Sequence, residues 1–153
     1  MKNELFLSSI SLIIKNENNE ILLQKRNNTK LWPNRIALPA GHIDEGENAY
    51  EAAIREAKEE LGIDISKEDI IDTFVVSRKN KNLSPYYDIY FEIEKYQGKL
   101  TINEPDKCSK LMWCNINDLP EYMLEFEKVA IDNNSKGIKF SVISTNEDGS
   151  IIE

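Results

Sequence analysis

Glu56, Glu59 and Glu60 are the residues of this chain whose types and spacing could do chemistry. At 100° per residue, helical positions i, i+3 and i+4 fall within roughly 100° of arc. Three carboxylates on one helical face repel one another by roughly a few tenths of a kcal/mol per pair. They also stand near the helix C-terminus, where the macrodipole disfavours anions. Local propensity and electrostatics disagree there, as expected at a functional site. A hard divalent cation with oxygen ligands removes the disagreement. Mg²⁺ suits best, because it takes a few carboxylates and leaves places for water and substrate phosphates. Mn²⁺ is its expected substitute. The segment from Gly41 to Leu61 holds seven acids (Asp44, Glu45, Glu47, Glu51, Glu56, Glu59, Glu60) and two bases, Arg55 and Lys58. The plain alternative is a solvated acidic face, since charge runs are usually surface.

The three glutamates need a helix to hold them. Asn48 is a fair N-cap for a helix reaching Leu61, and Gly62 lies where a left-handed C-cap belongs. Within 48–61, Tyr50, Ile54, Ala57 and Leu61 form an apolar stripe expected to face the core. Ala49, Ala52 and Ala53 lie on the acid-bearing side. Glu51, Arg55 and Lys58 point elsewhere, so no cation of this helix is expected among the three carboxylates. Upstream, strands are predicted over 9–15 and 21–26, forming a hairpin about the turn 16–19. Residues 27–34 and 41–46 read as loops, with a short apolar piece over 36–38. Downstream, strands are predicted over 70–76, 86–93, 111–116 and 138–143, rich in β-branched and aromatic residues. A helix over 121–132 carries Met123, Phe126, Val129 and Ala130 as a core stripe. The polar tail, 145–153, is expected to fray. Interleaved strands and helices predict an α/β fold, a mixed sheet with helices on its faces.

The rest of the chain narrows the setting. Its 153 residues suit one domain, expected to span 1–153, and 41% hydrophobic with 30% charged residues argues against disorder. The net charge of −8 disfavours nucleic acid polymers and anionic membrane surfaces as partners. No apolar run is long enough to span a membrane. The start, Met1-Lys2-Asn3-Glu4-Leu5, lacks the apolar core of a signal peptide, so a cytoplasmic location is expected. Cys108 and Cys114 are then read as reduced thiols, and one His with two Cys argues against structural zinc. The oligomeric state is open, a homodimer included.

Gly41, five residues, Glu47, seven residues, then Arg55-Glu56-Ala57-Lys58-Glu59-Glu60-Leu61-Gly62-Ile63 resembles the Nudix box, G-x5-E-x7-R-E-U-x-E-E-x-G-U with U aliphatic. Ala57 is smaller than the usual first aliphatic residue, a departure that touches packing and not chemistry. Flanking features are similar to MutT-like members: Leu23-Gln24-Lys25-Arg26 and Leu38-Pro39-Ala40-Gly41 before the box, then Asn103 to Cys108, Trp113 and Leu119-Pro120 after it. The resemblance implies an α/β/α sandwich with a mixed sheet. It implies Mg²⁺-dependent hydrolysis of a nucleoside diphosphate linked to another group. Glu56, Glu59 and Glu60 would be the metal ligands and hold the activated water. The Ala40 carbonyl would be a backbone ligand, and Glu104 would bind a further metal or position the water. Glu47 and Arg55 would support the loop–helix geometry, Arg55 by orienting carboxylates as their ion-pair partner.

Other residues admit two readings. Arg26 contacts substrate phosphate or is a plain surface cation, and Trp32 stacks on a base or closes its loop. Tyr86, Tyr87 and Tyr90 are expected in packing, with one face reaching the cleft. His42 is read as a loop residue, and Cys108 fills an edge, since no base is placed to activate it. The expected substrate is a small nucleotide, foremost a nucleoside triphosphate, including oxidised ones. ADP-ribose or another dinucleotide is the alternative, and a silent nucleotide sensor of the same fold is the third.

Overall fold

β1 (Leu7–Ile14) is buried on both faces from Ser9 onward, which fits a place inside a sheet and not at its edge. In the computed structural model, which describes residues 7–152, β1 lies between β4 (Ala40–His42) and β6 (Tyr86–Ile93). β5 (Ile70–Asn80) and β8 (Phe140–Thr145) complete a mixed five-stranded sheet, ordered β4-β1-β6-β5-β8. The β1–β6 and β5–β8 pairs are parallel, and the β1–β4 and β5–β6 pairs antiparallel. A second sheet is antiparallel, with β2 (Glu20–Arg26) between β3 (Ile36–Ala37) and β7 (Cys108–Asn115). The expectation for the sequence start, Met1 to Leu5, and the end of the tail at Glu153 lie outside the described residues.

Alternation along β1 assigns the two helices to opposite faces. Ile10, Leu12 and Ile14 pack with α1 (Ala49–Leu61), whereas Ile13 joins Phe74, Val76 and Tyr90 under α2 (Glu125–Ser135). The result is the expected α/β sandwich. The hairpin expected between the first two strands does not form as a ladder. A single bridge, Lys15 to Ile21, joins them before they part into separate sheets. The separation follows from burial: Ile21 and Leu23 feed one core and Leu22 the other.

The core face of α1 also differs from expectation. Ala52, Ala53, Ala57 and Leu61 are buried, but Tyr50 and Ile54 are 39% and 37% exposed. The small residues win the contact because they let the helix lie close to the sheet, and this rotation carries Glu56 inward to 8% exposure. α2 starts later than predicted, after Met123 and Leu124 are already buried. Residues 41 and 42 belong to β4, where Gly41 pairs with Ile10. The tail does not fray where described: Thr145 bridges Ile151, and the Asn146 amide donates to the Ser150 carbonyl.

The ends of α1 are as the sequence predicts. Asn48 and Glu51 form a reciprocal capping box. Gly62 closes the helix at φ 70°, and the last carbonyls are taken by the next segment: Thr101 N donates to Leu61, Asn103 N to Glu60 and the Asn103 side chain to Lys58. The C-terminal cap therefore also brings Glu104 alongside Glu60. Gly62→Ala places a residue with a Cβ in the left-handed region, 2.5 Å from the Thr101 hydroxyl. It is expected to lower stability by about 1–2 kcal/mol, and Tm by about 2–8 °C in thermal unfolding.

Candidate active site

A cleft of about 670 Å³ opens between the box, the loop 27–34, β6 and the start of α2. Its volume is that of a small-ligand pocket. Gln24, Arg26, Trp32, Ala40, Gly41, Arg55, Glu56, Glu59, Glu60, Lys107 and Glu127 all line it. Every candidate residue from the sequence except Glu47 and Glu104 thus reaches the cleft wall. Those two stand behind it: Glu47 is held by Arg55, and Glu104 by Lys107, whose ammonium is 3.1 Å from its Oε2.

Arg55 sits among the carboxylates, against the expectation that no helix cation would. Its Nη1 donates to Glu56 Oε1 at 2.8 Å and to Glu59 Oε2 at 3.2 Å. Its Nε and Nη2 donate to the two oxygens of Glu47 at 3.0 and 2.5 Å, and Nη2 also donates to the His42 carbonyl at 2.9 Å. The helical angle of Cα does not bound so long a side chain. These bonds, with one from the Asp44 amide, hold the Glu47 carboxyl down at a pKa of about 2. The same partners push the Arg55 guanidinium up, so it stays charged.

Glu60 lacks such a partner, and Lys107 meets only one oxygen of Glu104. Glu60 Oε2 and Glu104 Oε1 are buried without a hydrogen bond. Burial pushes the Glu60 carboxyl well above the carboxylate range, and the charges of Glu56 and Glu104 push it further. Burial likewise raises Glu56, against the opposing pull of Arg55. Gly41 leaves the room that the Glu56 carboxyl occupies, since a Cβ there would collide with it. Orphaned oxygens, an all-oxygen donor set and a cradle without a side chain fit a hard divalent cation. Among the described residues, no three His, Cys, Asp or Glu groups make a finished metal cage. Mg²⁺ does not need one, because substrate phosphates and water complete its shell.

The far end of the cleft was mostly not legible in the sequence. Arg78 and Asp88 form a buried bidentate pair, Nε to Oδ2 at 2.6 Å and Nη2 to Oδ1 at 3.2 Å. Ser9 also donates to Asp88, and the guanidinium lies 4.2 Å from the Phe126 ring centroid and 4.6 Å from that of Tyr86. β5 runs four residues beyond its predicted end, which is why Arg78 escaped notice. Glu127 was hidden for another reason: it interrupts the apolar stripe of α2 and is 3% exposed. A charged residue on a core stripe was the available signal. Trp32 closes its loop, with Nε1 donating to the Glu147 carbonyl, φ at 50° and its ring 5.3 Å from Phe126. Arg26 crosses over that ring and donates to the Leu31 carbonyl. Tyr90 is in the core, Tyr86 reaches the cleft and bonds His42 on β4, and Tyr87 is exposed. Cys108 and Cys114 are both free on β7. No helix among the described residues is long and apolar enough to cross a membrane.

The model of the NUDIX domain family matches residues 5–133, so the chain belongs to the Nudix family. It is a hydrolase of the MutT-like kind within that family. The 8-oxo-dGTP diphosphatase of Escherichia coli (strain K12) is 27% identical over 71% of this chain and 83% of its own length. The ADP-ribose pyrophosphatase of Methanocaldococcus jannaschii is 26% identical over 78% of this chain and 68% of its own. Among solved structures, the MutT Nudix hydrolase of Burkholderia pseudomallei superposes with a TM-score of 0.72 at 25% identity, covering 84% of this chain and 98% of that one. The MutT protein of Methanosarcina mazei Go1, at 18% identity and TM-score 0.75, shares the fold over 91% of this chain and 99% of its own.

Glu127 makes one stability prediction. Burial raises its carboxyl from the ordinary value of 4.5 to about 8. A carboxyl with a raised folded-state value stabilises in its neutral form, fully below about pH 4.5, and that stability is lost as pH rises towards 8. Glu127→Gln keeps the shape and removes the titration. Its Tm is expected to exceed that of the parent by at least about 2 °C at pH 8, with the difference vanishing near pH 4.5.

Proposed function

We propose that this protein hydrolyses a nucleoside triphosphate, oxidised ones included, to the monophosphate and pyrophosphate, with Mg²⁺ as cofactor and Mn²⁺ as substitute. The observation that carries this reading is the pair of buried carboxylate oxygens without partners, Glu60 Oε2 on the wall of an aromatic-walled cleft and Glu104 Oε1 behind it. The 8-oxo-dGTP diphosphatase of Escherichia coli, as that relative is named, supports the choice of substrate. We take the chain as one Nudix domain over 1–153 acting in the cytoplasm, where free Cys108 and Cys114 stay reduced.

Glu56, Glu59 and Glu60, with the Ala40 carbonyl and Glu104, would hold the metal. When bound, Mg²⁺ neutralises phosphate charge, orients the chain of phosphates and lowers the pKa of water. The water oxygen attacks a phosphorus beside the α–β bridge, and that bridging bond breaks to release pyrophosphate. Glu104 Oε1 positions the attacking water. Arg55 keeps Glu56 and Glu59 aimed at the cleft through its two Nη1 bonds, anchored from behind by Glu47. Arg26 supplies positive charge to the phosphates from β2, on the cleft wall. Most of the acceleration is positioning and electrostatics, since phosphoryl transfer asks little covalent chemistry of the protein.

The relative named ADP-ribose pyrophosphatase supports a second reading, the same chemistry on a dinucleotide. Product analysis separates them: a monophosphate plus pyrophosphate for the first, AMP plus a sugar phosphate for the second. With Mg²⁺ and a panel of triphosphates, oxidised triphosphates and dinucleotides, turnover is expected on a triphosphate. Release of neither pyrophosphate nor phosphate from any member would sink the proposal. Glu56→Gln is expected to lose more than about 100-fold in kcat, and Arg55→Ala about 10- to 100-fold, the range for groups that orient ligands.

A further inference from the structure

The loop 27–34 sets Asn28, Thr29, Lys30, Leu31 and Trp32 on the cleft wall. Its start is tied by Asn27, whose amide donates to the Lys107 carbonyl and whose side chain donates to the Pro105 carbonyl. Its end is tied to Arg26 through Asn34 and Arg35. Between 28 and 33 the hydrogen bonds among the described residues stay within 26–35, with one exception. Trp32 Nε1 donates to the Glu147 carbonyl at 3.0 Å, 115 residues further along the chain. Trp32 holds φ at 50°, a left-handed conformation that a bulky residue keeps only where its surroundings fix it. The acceptor belongs to a turn with ties of its own. The Asn146 amide donates to the Ser150 carbonyl at 2.8 Å, and the Gly149 amide to the Asn146 carbonyl at 3.1 Å. Asp148 Oδ1 takes the amide and the hydroxyl of Ser150. Asn82, just after β5, donates to Glu147 Oε1 at 2.7 Å. Gly149 has φ 85°, and a Cβ there would stand 3.2 Å from Leu124, 3.4 Å from Trp32 Nε1 and 3.6 Å from Phe126. Only a residue without a side chain lets the turn close on the indole in this way. None of residues 146–149 lines the cleft.

A loop tip with one hydrogen bond to the rest of the chain opens more often when that bond is lost. Resting on the nucleotide reading above, we propose that the turn 146–149 is a latch for substrate binding. Gly149 and the Glu147 carbonyl are positioning groups: they hold Trp32, and through it the loop 27–34, in the conformation that receives the nucleotide. The turn itself touches no substrate. It acts by preorganisation, because a loop already ordered loses less freedom when a ligand lands on it. Without the latch, apparent affinity falls by the fraction of molecules whose loop is in place. The box, where the bond breaks, is left as it was, so the loss falls in KM and not in kcat.

The test uses the full chain with Gly149→Val, Trp32→Phe and Gly137→Val. Gly149→Val forces a side chain into the left-handed region and against Trp32 and Leu124, so it breaks the latch from outside the cleft. Trp32→Phe keeps a ring and removes the donor, and it carries the test if Gly149→Val does not fold. Gly137→Val is the control, with the same backbone strain at φ 83° and nothing within 4 Å of its Cβ. Opening of the loop is read as the rate of tryptic cleavage after Lys30, followed by mass spectrometry. Binding of GMP and AMP is measured by calorimetry without metal, and kcat and KM with Mg²⁺ on the triphosphate that is turned over. Both latch variants are expected to raise cleavage after Lys30 and KM by about threefold or more, with kcat within about twofold of the parent. Gly137→Val should match the parent in all three, despite a lower Tm. Unchanged cleavage in the latch variants overturns the proposal, and so does faster cleavage with unchanged KM. An equal rise of KM in Gly137→Val, or a loss confined to kcat, reduces the turn to a structural role and also overturns it. A parent that binds neither monophosphate and turns over no triphosphate overturns it too. Faster cleavage with weaker GMP and AMP binding, without turnover of any triphosphate, supports this inference while sinking the hydrolysis reading.

Discussion

Arg55 binds Glu47, Glu56 and Glu59 and the carbonyl of His42 with one planar group, and it takes up the repulsion that the box would otherwise store. A Lys could not do this, since its ammonium is a point charge without a fixed fork. The arrangement ties β4, the loop 43–48 and the middle of α1 into one unit. The guanidinium makes no bond to Glu60, however, and Lys107 meets only one oxygen of Glu104. Charge is thus settled at the base of the cluster and left unsettled at its tip, where the cleft is.

The same unit explains why α1 packs on alanines. Ala52, Ala53 and Ala57 are fully buried, and Gly41 on the facing strand has no side chain to meet. Larger residues at these positions would bury more apolar area but would lift the helix from β4. Glu56 reaches the cleft only because the backbone approach is this close. Ala57, which departs from the usual aliphatic residue of the Nudix box, is therefore in keeping with its neighbours. Leu61 and Ile63 supply the apolar bulk one turn later, where the helix leaves the strand.

Much of this was legible in the sequence because box, caps and glycines are local signals. Asn48, Gly62 and the spacing of Glu56, Glu59 and Glu60 each depend on residues within a turn or two. The strands of the sheet were placed for the same reason. What escaped depends on partners far along the chain. Tyr50 and Ile54 look like core until the contact with β4 rotates α1 away from them. The hairpin of β1 and β2 is a sound local reading, defeated by two cores that draw alternate residues of β2 apart. Arg78 and Asp88 are ten positions apart and meet only through the β5–β6 register, which pairs Asp88 with Val76. Trp32 is held by the tail, more than a hundred residues away.

Glu60 and Glu127 show how one side-chain type serves both ends of the cleft. Burial drives each of them towards the neutral form. At the box end further acids crowd in, Glu56 and Glu104 among them, and a divalent cation there would let the carboxylates ionise. At the other end Arg78 and Asp88 already cancel each other. Burial, with the like charge of Asp88, raises the Glu127 carboxyl there. The cleft therefore gathers acid at the box and sets a paired Arg78 and Asp88 beside aromatic walls near α2. That polarity also answers how a chain of net charge −8 can receive an anionic substrate. Under the proposed function the acid is concentrated where a cation would stand between it and the phosphates, and at the α2 end Asp88 is paired with Arg78.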